Sequence, residues 1–131
     1  MSKTFQLEII TPEKVYDEGQ VNYLRAPSLD GLFGVQSRHA PAIIAISIGE
    51  IKVTKDGKES YYATNGGFAD IRPENVQLLV ETAEKVSEID AQRAEAAKKR
   101  AQDRLNNKEM DKVRIRTAIT KANNRLNVSK R

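Results

Sequence analysis

All seven glycines and all four prolines of this 131-residue chain lie before Ser87. Glycine supplies positive-φ turns and proline removes a backbone donor, so the first part is punctuated while the second is free to run as helix. Before the boundary, TFQLEII, VNYLRA, EIKVT and NVQLLVE alternate apolar with polar residues or are rich in strand formers. Asp56-Gly57 between IKVT and ESYYAT is a tight-hairpin pair. Gly31, Gly34, Gly49, Gly66 and Gly67 mark further bends, and Arg72-Pro73-Glu74-Asn75 reads as another turn. Short strands at this spacing predict a small antiparallel β-sandwich or barrel over residues 1–86.

Beyond the boundary, DAQRAEAAKKRAQDRL consists almost wholly of strong helix formers, with Asp90 placed as N-cap. NNKE at 106–109 breaks the run and DKVRIRTAITKANNRLNV resumes it, so residues 87–131 predict two antiparallel helices. The expected seam joins Ala94, Ala97, Ala101 and Leu105 to Ile115, Ala118, Ile119, Ala122 and Leu126. Alanine methyls stabilise weakly, at about 0.8 kcal/mol per buried CH₂-sized group, so such a hairpin is marginal alone.

The net charge of +4 conceals a division at the same boundary. Residues 1–86 carry nine Lys/Arg against twelve Asp/Glu, a net of −3, and residues 87–131 carry thirteen against six, a net of +7. A basic tail suits an acidic protein surface, a nucleotide phosphate or a nucleic-acid backbone. The absence of cysteine excludes disulfides, thiolate metal sites and a cysteine nucleophile, and a single histidine excludes a histidine-rich zinc site. MSKTFQLEII lacks the apolar stretch of a signal peptide, and no apolar run approaches the roughly 20 residues of a membrane span, so no direct membrane insertion is expected.

Two loops invite comparison with functional motifs. GLFGVQSRHAP offers Leu32 and Phe33 as a partner surface, the plainer alternative being that Phe33 folds into the core. His39 follows Arg38 there but has no nucleophile context, which leaves it a hydrogen-bonding role. The paired glycines of NGGFADIRP lack the lysine-serine ending of a phosphate loop, so a strand start with close backbone approach is the expectation.

In IDAQRA, at 89–94, Arg93 follows Asp90 by three residues, and Arg100 falls on nearly the same helix face. Lys121 and Arg125, one turn apart on the second helix, face them if the hairpin folds back. Either an anion lies between these cations or they form a solvated basic face beside a cap.

The order and spacing of LEIITPEKVYDEGQV, GLFGVQSRHAP, NGGFADIRPENVQLL, AE at 83–84, IDAQRA and KANNRLNV resemble the epsilon subunit of the bacterial and chloroplast F-type ATP synthase over nearly the whole chain. The resemblance implies a non-catalytic rotor subunit with no metal site and no required cofactor. Its β-domain binds the gamma subunit and the ring of c subunits, coupling ion flow to ATP synthesis. Its location is peripheral, on the cytoplasmic side of the inner membrane or on the thylakoid. The resemblance further implies that the hairpin, when extended, meets the beta and alpha subunits and inhibits ATP hydrolysis.

Some members bind a regulatory ATP in the folded hairpin through I/L-D-x-x-R-A. Ile89, Asp90, Arg93 and Ala94 match that motif, and Glu84, Arg100 and Arg125 match by alignment. Lys121 stands where tighter binders carry arginine, which keeps the charge but not the planar fork. In the loop, Leu32 replaces the family's acidic residue and Ser37-Arg38 its proline-glycine, while Leu32, Phe33, Arg38 and His39 remain the implied contact with the ring or gamma. The rival reading is a nucleic-acid-binding protein using the basic hairpin. Against it stand the acidic β-region and the lack of interleaved aromatics, so no nucleic-acid partner is expected.

Overall fold

The computed structural model describes residues 3–105 and 112–131, and the expected break at 106–109 lies outside the described residues. The strands are β1 Phe5–Ile10, β2 Val15–Val21, β3 Tyr23–Ser28, β4 Gly31–Val35, β5 Ala42–Ile46, β6 Gly49–Lys55, β7 Lys58–Thr64, β8 Gly67–Ile71, β9 Asn75–Val80 and β10 Ala83–Lys85. A 3-10 turn, Val86–Glu88, leads to α1 Ala91–Leu105 and α2 Lys112–Ser129.

Among the described residues the strands form one sheet in the order β10-β7-β6-β3-β5-β8-β9-β1-β2, with β4 added to β3. Every pairing is antiparallel except β1 with β9, where Gln6 lies opposite Asn75 and Ile10 opposite Leu79 in parallel. The sheet curls until edge strand β2 returns to β6 and β7. Tyr16 meets Tyr62 edge to face at 5.1 Å, the Tyr62 hydroxyl donates to Glu18, and Lys55 Nζ donates to the Glu18 carbonyl at 3.1 Å.

Strand alternation supplies the core: Phe5, Leu7 and Ile9 of β1 and Val76, Leu78 and Val80 of β9 point inward with Leu24, Ile51, Val53 and Tyr62. Each such aliphatic side chain stabilises the fold by about 1.5–3 kcal/mol on full burial. The turn at Asp56-Gly57 has positive φ at both residues, 51° and 78°, as a type I′ hairpin requires. Arg72 closes the β8–β9 turn by donating its N–H to the Asn75 carbonyl at 2.9 Å.

The paired glycines do mark a close approach, since a Cβ on Gly67 would fall 2.1 Å from the Leu79 carbonyl oxygen. Gly34 is not a bend. It lies inside β4 opposite Arg25, where the Tyr23 hydroxyl occupies the space a side chain would need. The segment read as a loop around Leu32 and Phe33 is therefore a strand.

In the hairpin Ala94 and Ala101 of α1 and Ile115 and Ala122 of α2 are buried, with Ala97, Leu105, Ile119 and Leu126 half-buried. Ala118 is exposed: the seam steps through 115, 119, 122 and 126, and position 118 falls off that line. Val128 lies off it too, yet is wholly buried where the end of α2 packs over β6 and β7.

Candidate functional site

The junction of sandwich and hairpin is built from three segments. The Lys14 ammonium reaches Glu88 Oε2 at 2.8 Å, and the Tyr16 hydroxyl donates to Glu88 Oε1 at 2.7 Å. The Lys85 backbone N–H donates to the same oxygen at 3.1 Å. These donors, Lys14 first and Tyr16 next, hold the Glu88 carboxyl down at about 2. The same pairing, led by Glu88, raises Lys14, while burial and then Glu88 raise the Tyr16 phenol. The junction is thus a clasp of fixed charges.

One residue beyond Ile89, the Asp90 carboxylate accepts the Arg93 backbone N–H at 3.0 Å, and the Asp90 carbonyl accepts from Ala94 at 3.0 Å. Asp90 is the N-cap of α1, satisfying a donor that a helix start leaves open. Between β10 and α2, Glu84 Oε1 accepts from Arg125 Nε at 2.6 Å. A cleft of about 400 Å³ opens beside this pair, walled by the turn at 11–14, the connection at 81–84, Glu88 and Arg125.

Of the residues assigned to a nucleotide, then, the fold joins Glu84 directly to Arg125. Ile89, Asp90, Arg93, Ala94, Arg100 and Lys121 lie outside the cleft wall. Ala94 is buried in the helix seam, Lys121 is half-buried, and Arg93 and Arg100 are exposed. Among the described residues Arg93, Arg100 and Lys121 form no ion pair, whereas Arg125 already has its carboxylate.

The residues assigned to a partner divide between two faces. Phe33 pairs with Ala26 and packs on the core, as the plainer alternative had it, and Leu32 faces outward with 66% of its surface exposed. Arg38 takes a left-handed φ of 62° and donates its N–H to the Pro73 carbonyl at 3.2 Å. The His39 ring Nδ1 lies 2.7 Å from the Ala40 carbonyl.

Residue patterns drew no attention to a second surface. Ala45 of β5 lies opposite Phe68 of β8, Phe68 opposite Leu79 of β9, and Leu79 beside Ile10 of β1, on the outward side of four neighbouring strands. Ile43 extends this row, and Ile43, Phe68 and Leu79 are all exposed. Contiguous exposed apolar surface is uncommon unless something covers it. The signal was present in AIIAI and VQLLV, which are apolar at successive positions where a one-sided strand would alternate.

A family described as "ATP synthase, Delta/Epsilon chain, beta-sandwich domain" matches residues 4–86, and its companion, "ATP synthase, Delta/Epsilon chain, long alpha-helix domain", matches residues 87–130. This chain belongs to the ATP synthase delta/epsilon family. Its relatives include the ATP synthase epsilon chain of Desulforamulus reducens, 41% identical over 128 residues, which span 96% of this chain and 97% of that one. The ATP synthase epsilon chain of Staphylococcus saprophyticus is 40% identical over 129 residues, 96% of each chain. The same fold occurs in a chain from the Euglena gracilis mitochondrial ATP synthase, described as OSCP/F1/c-ring, with TM-score 0.78, 21% identity, and coverage of 93% of this chain and 78% of that one. It recurs in a Tetrahymena thermophila mitochondrial ATP synthase structure of the central stalk and c-ring, with TM-score 0.70, 12% identity, and coverage of 95% and 96%. The two matched regions meet between residues 86 and 87, in the 3-10 turn that joins β10 to α1. No described helix of this member is long and apolar enough to cross a membrane.

Proposed function

We propose that this delta/epsilon chain is a non-catalytic central-stalk subunit whose sandwich docks on the gamma subunit and the c-ring. Its hairpin is a movable brake on ATP hydrolysis. The observation that carries the reading is the unequal attachment of the two parts. The sandwich closes its own core, while the hairpin touches it through α2, the 3-10 turn Val86–Glu88 and a few polar side chains. The outward row of Ala45, Phe68, Leu79 and Ile10 supports gamma docking, and exposed Leu32 on β4 supports the c-ring contact.

Arg93, Arg100 and Lys121, without ion-pair partners among the described residues, supply cations for a nucleotide phosphate on the folded hairpin. A ligand that binds the closed state alone favours it by about 2.7 kcal/mol at ~100 times its Kd. Opened, the basic hairpin meets the beta and alpha subunits, its charge matched by an acidic segment of beta.

The test is a reconstituted synthase carrying the chain cut after residue 87. ATP hydrolysis should rise while synthesis is retained, and equal hydrolysis by cut and full complexes would end the brake reading. Isothermal titration of ATP into the whole chain checks the nucleotide: saturable one-to-one heat is expected, and none at millimolar ATP would remove that part.

A further inference from the structure

Glu50 of β6 and Glu84 of β10 both stand opposite Ala63, the residue of β7 between them. Directly paired residues project to one side of a sheet, so the two carboxylates flank one methyl group at roughly 10 Å, two strand spacings. Ala63 lies outside the sandwich core cluster yet is only 2% exposed. The end of α2 packs over β6 and β7 at this place. Arg125 Nε reaches Glu84 at 2.6 Å, and Arg131 grips both oxygens of Glu50, Nε at 2.9 Å and Nη2 at 2.8 Å.

α2 ends at Ser129, and the chain closes in a tighter turn in which the Lys130 and Arg131 N–H groups donate to the carbonyls of Asn127 at 3.3 Å and Val128 at 3.0 Å, which leaves Arg125 on the helix at one carboxylate and Arg131 just past its end at the other. The arrangement is reinforced from both sides. The Asn124 side-chain amide donates to the carbonyls of Gly49 at 2.8 Å and Thr64 at 3.3 Å, which face each other across the β6–β7 ladder. The Arg131 guanidinium also lies 4.6 Å over the Tyr61 ring. Ordering Arg131 in this way reduces the entropy lost in forming a two-point pair.

The geometry points to an electrostatic clamp, Arg125 on Glu84 and Arg131 on Glu50, that holds the hairpin on the sandwich without any ligand and that ionic strength releases. Side-chain exposure is 33% for Arg125, 31% for Glu84, 47% for Arg131 and 18% for Glu50, so mobile ions reach both pairs. The seam between α1 and α2 is apolar, and screening leaves it intact. Salt therefore lifts the hairpin as a unit and does not unzip it. The clamp needs no nucleotide, so it stands or falls separately from ATP binding.

Because the chain has no cysteine, spin labels can be placed on Lys58→Cys and Thr117→Cys of the full-length protein. Without nucleotide at low salt, one short distance is expected. At ~1 M NaCl, where the screening length is about 3 Å, a longer-distance fraction should rise roughly fivefold with unchanged far-UV dichroism. Arg125→Gln with Arg131→Gln should show the longer fraction at low salt and little further response. Exchanging the charges, Arg125→Glu with Glu84→Arg, should restore the short distance. A distribution that ignores salt in the parent, or salt opening undiminished in the double variant, would overturn the clamp.

Discussion

Tyr16 and Glu88, 72 positions apart in the chain, meet in a 2.7 Å hydrogen bond that ties edge strand β2 to the turn from which the hairpin departs. With Lys14 on its second oxygen, the Glu88 carboxyl ionises at about 2 instead of its ordinary 4.5. A lowered folded-state value stabilises the fold above the unfolded value, and the contribution disappears as pH falls through the folded one. The loss should therefore run from about 4.5 down to about 2. Urea midpoints followed against pH across that window should fall less steeply in Glu88→Gln than in the parent. Parallel curves for the two proteins would refute the clasp.

Asp90 serves first as a cap. Asparagine caps a helix about as well as aspartate, so Asp90→Asn should leave helix content unchanged, whereas Asp90→Ala should cost about 1 kcal/mol. Thermal dichroism of the three proteins measures this. If Asp90→Asn were as damaging as Asp90→Ala, the charge and not the hydrogen bond would be what α1 requires.

Val128 is wholly buried beneath the end of α2. Val128→Ala removes two buried methyl groups and leaves a small void, which should weaken hairpin docking by about 2 kcal/mol. Hydrogen exchange should show faster opening of α2 amides with β1 and β9 amides unaffected. Slowed or unchanged exchange in α2 would mean that the polar contacts alone hold it.

Gly57 and Gly67 both have positive φ, but only one has room for a side chain. A Cβ at Gly57 meets nothing within 4 Å, so Gly57→Ala should cost only about 1 kcal/mol of backbone strain. At Gly67 it would press against the carbonyl of Leu79, on the neighbouring strand, and Gly67→Ala should prevent the sandwich from folding. Urea denaturation compares them, and similar stabilities would show that β8 and β9 separate easily.

Local chemistry made several features legible. Asp56-Gly57 announced its hairpin, Asp90 its cap and the alanine spacing its seam, because each depends on residues within a few positions. The resemblance placed Glu84 and Arg125 in one nucleotide site without pairing them, and Glu50 and Arg131 were not singled out at all. Their meeting depends on how far α2 runs before crossing the sheet, a three-dimensional fact with no short-range signal. Tyr16, Lys14 and Glu88 were hidden for the same reason. The outward apolar row was visible as unalternating strands, but reading it required the register that places Ala45, Phe68 and Leu79 side by side.

The one parallel pair sets an order of events during synthesis on the ribosome. Among the described strands β1 is made before its parallel neighbour β9 with seven others between them, and no short turn brings the two together. Closing so large a loop is entropically slow, and the sandwich cannot be finished until β9 has emerged. α1 and α2 emerge after it. The nascent hairpin therefore meets a platform already complete, and its first partner is its own chain.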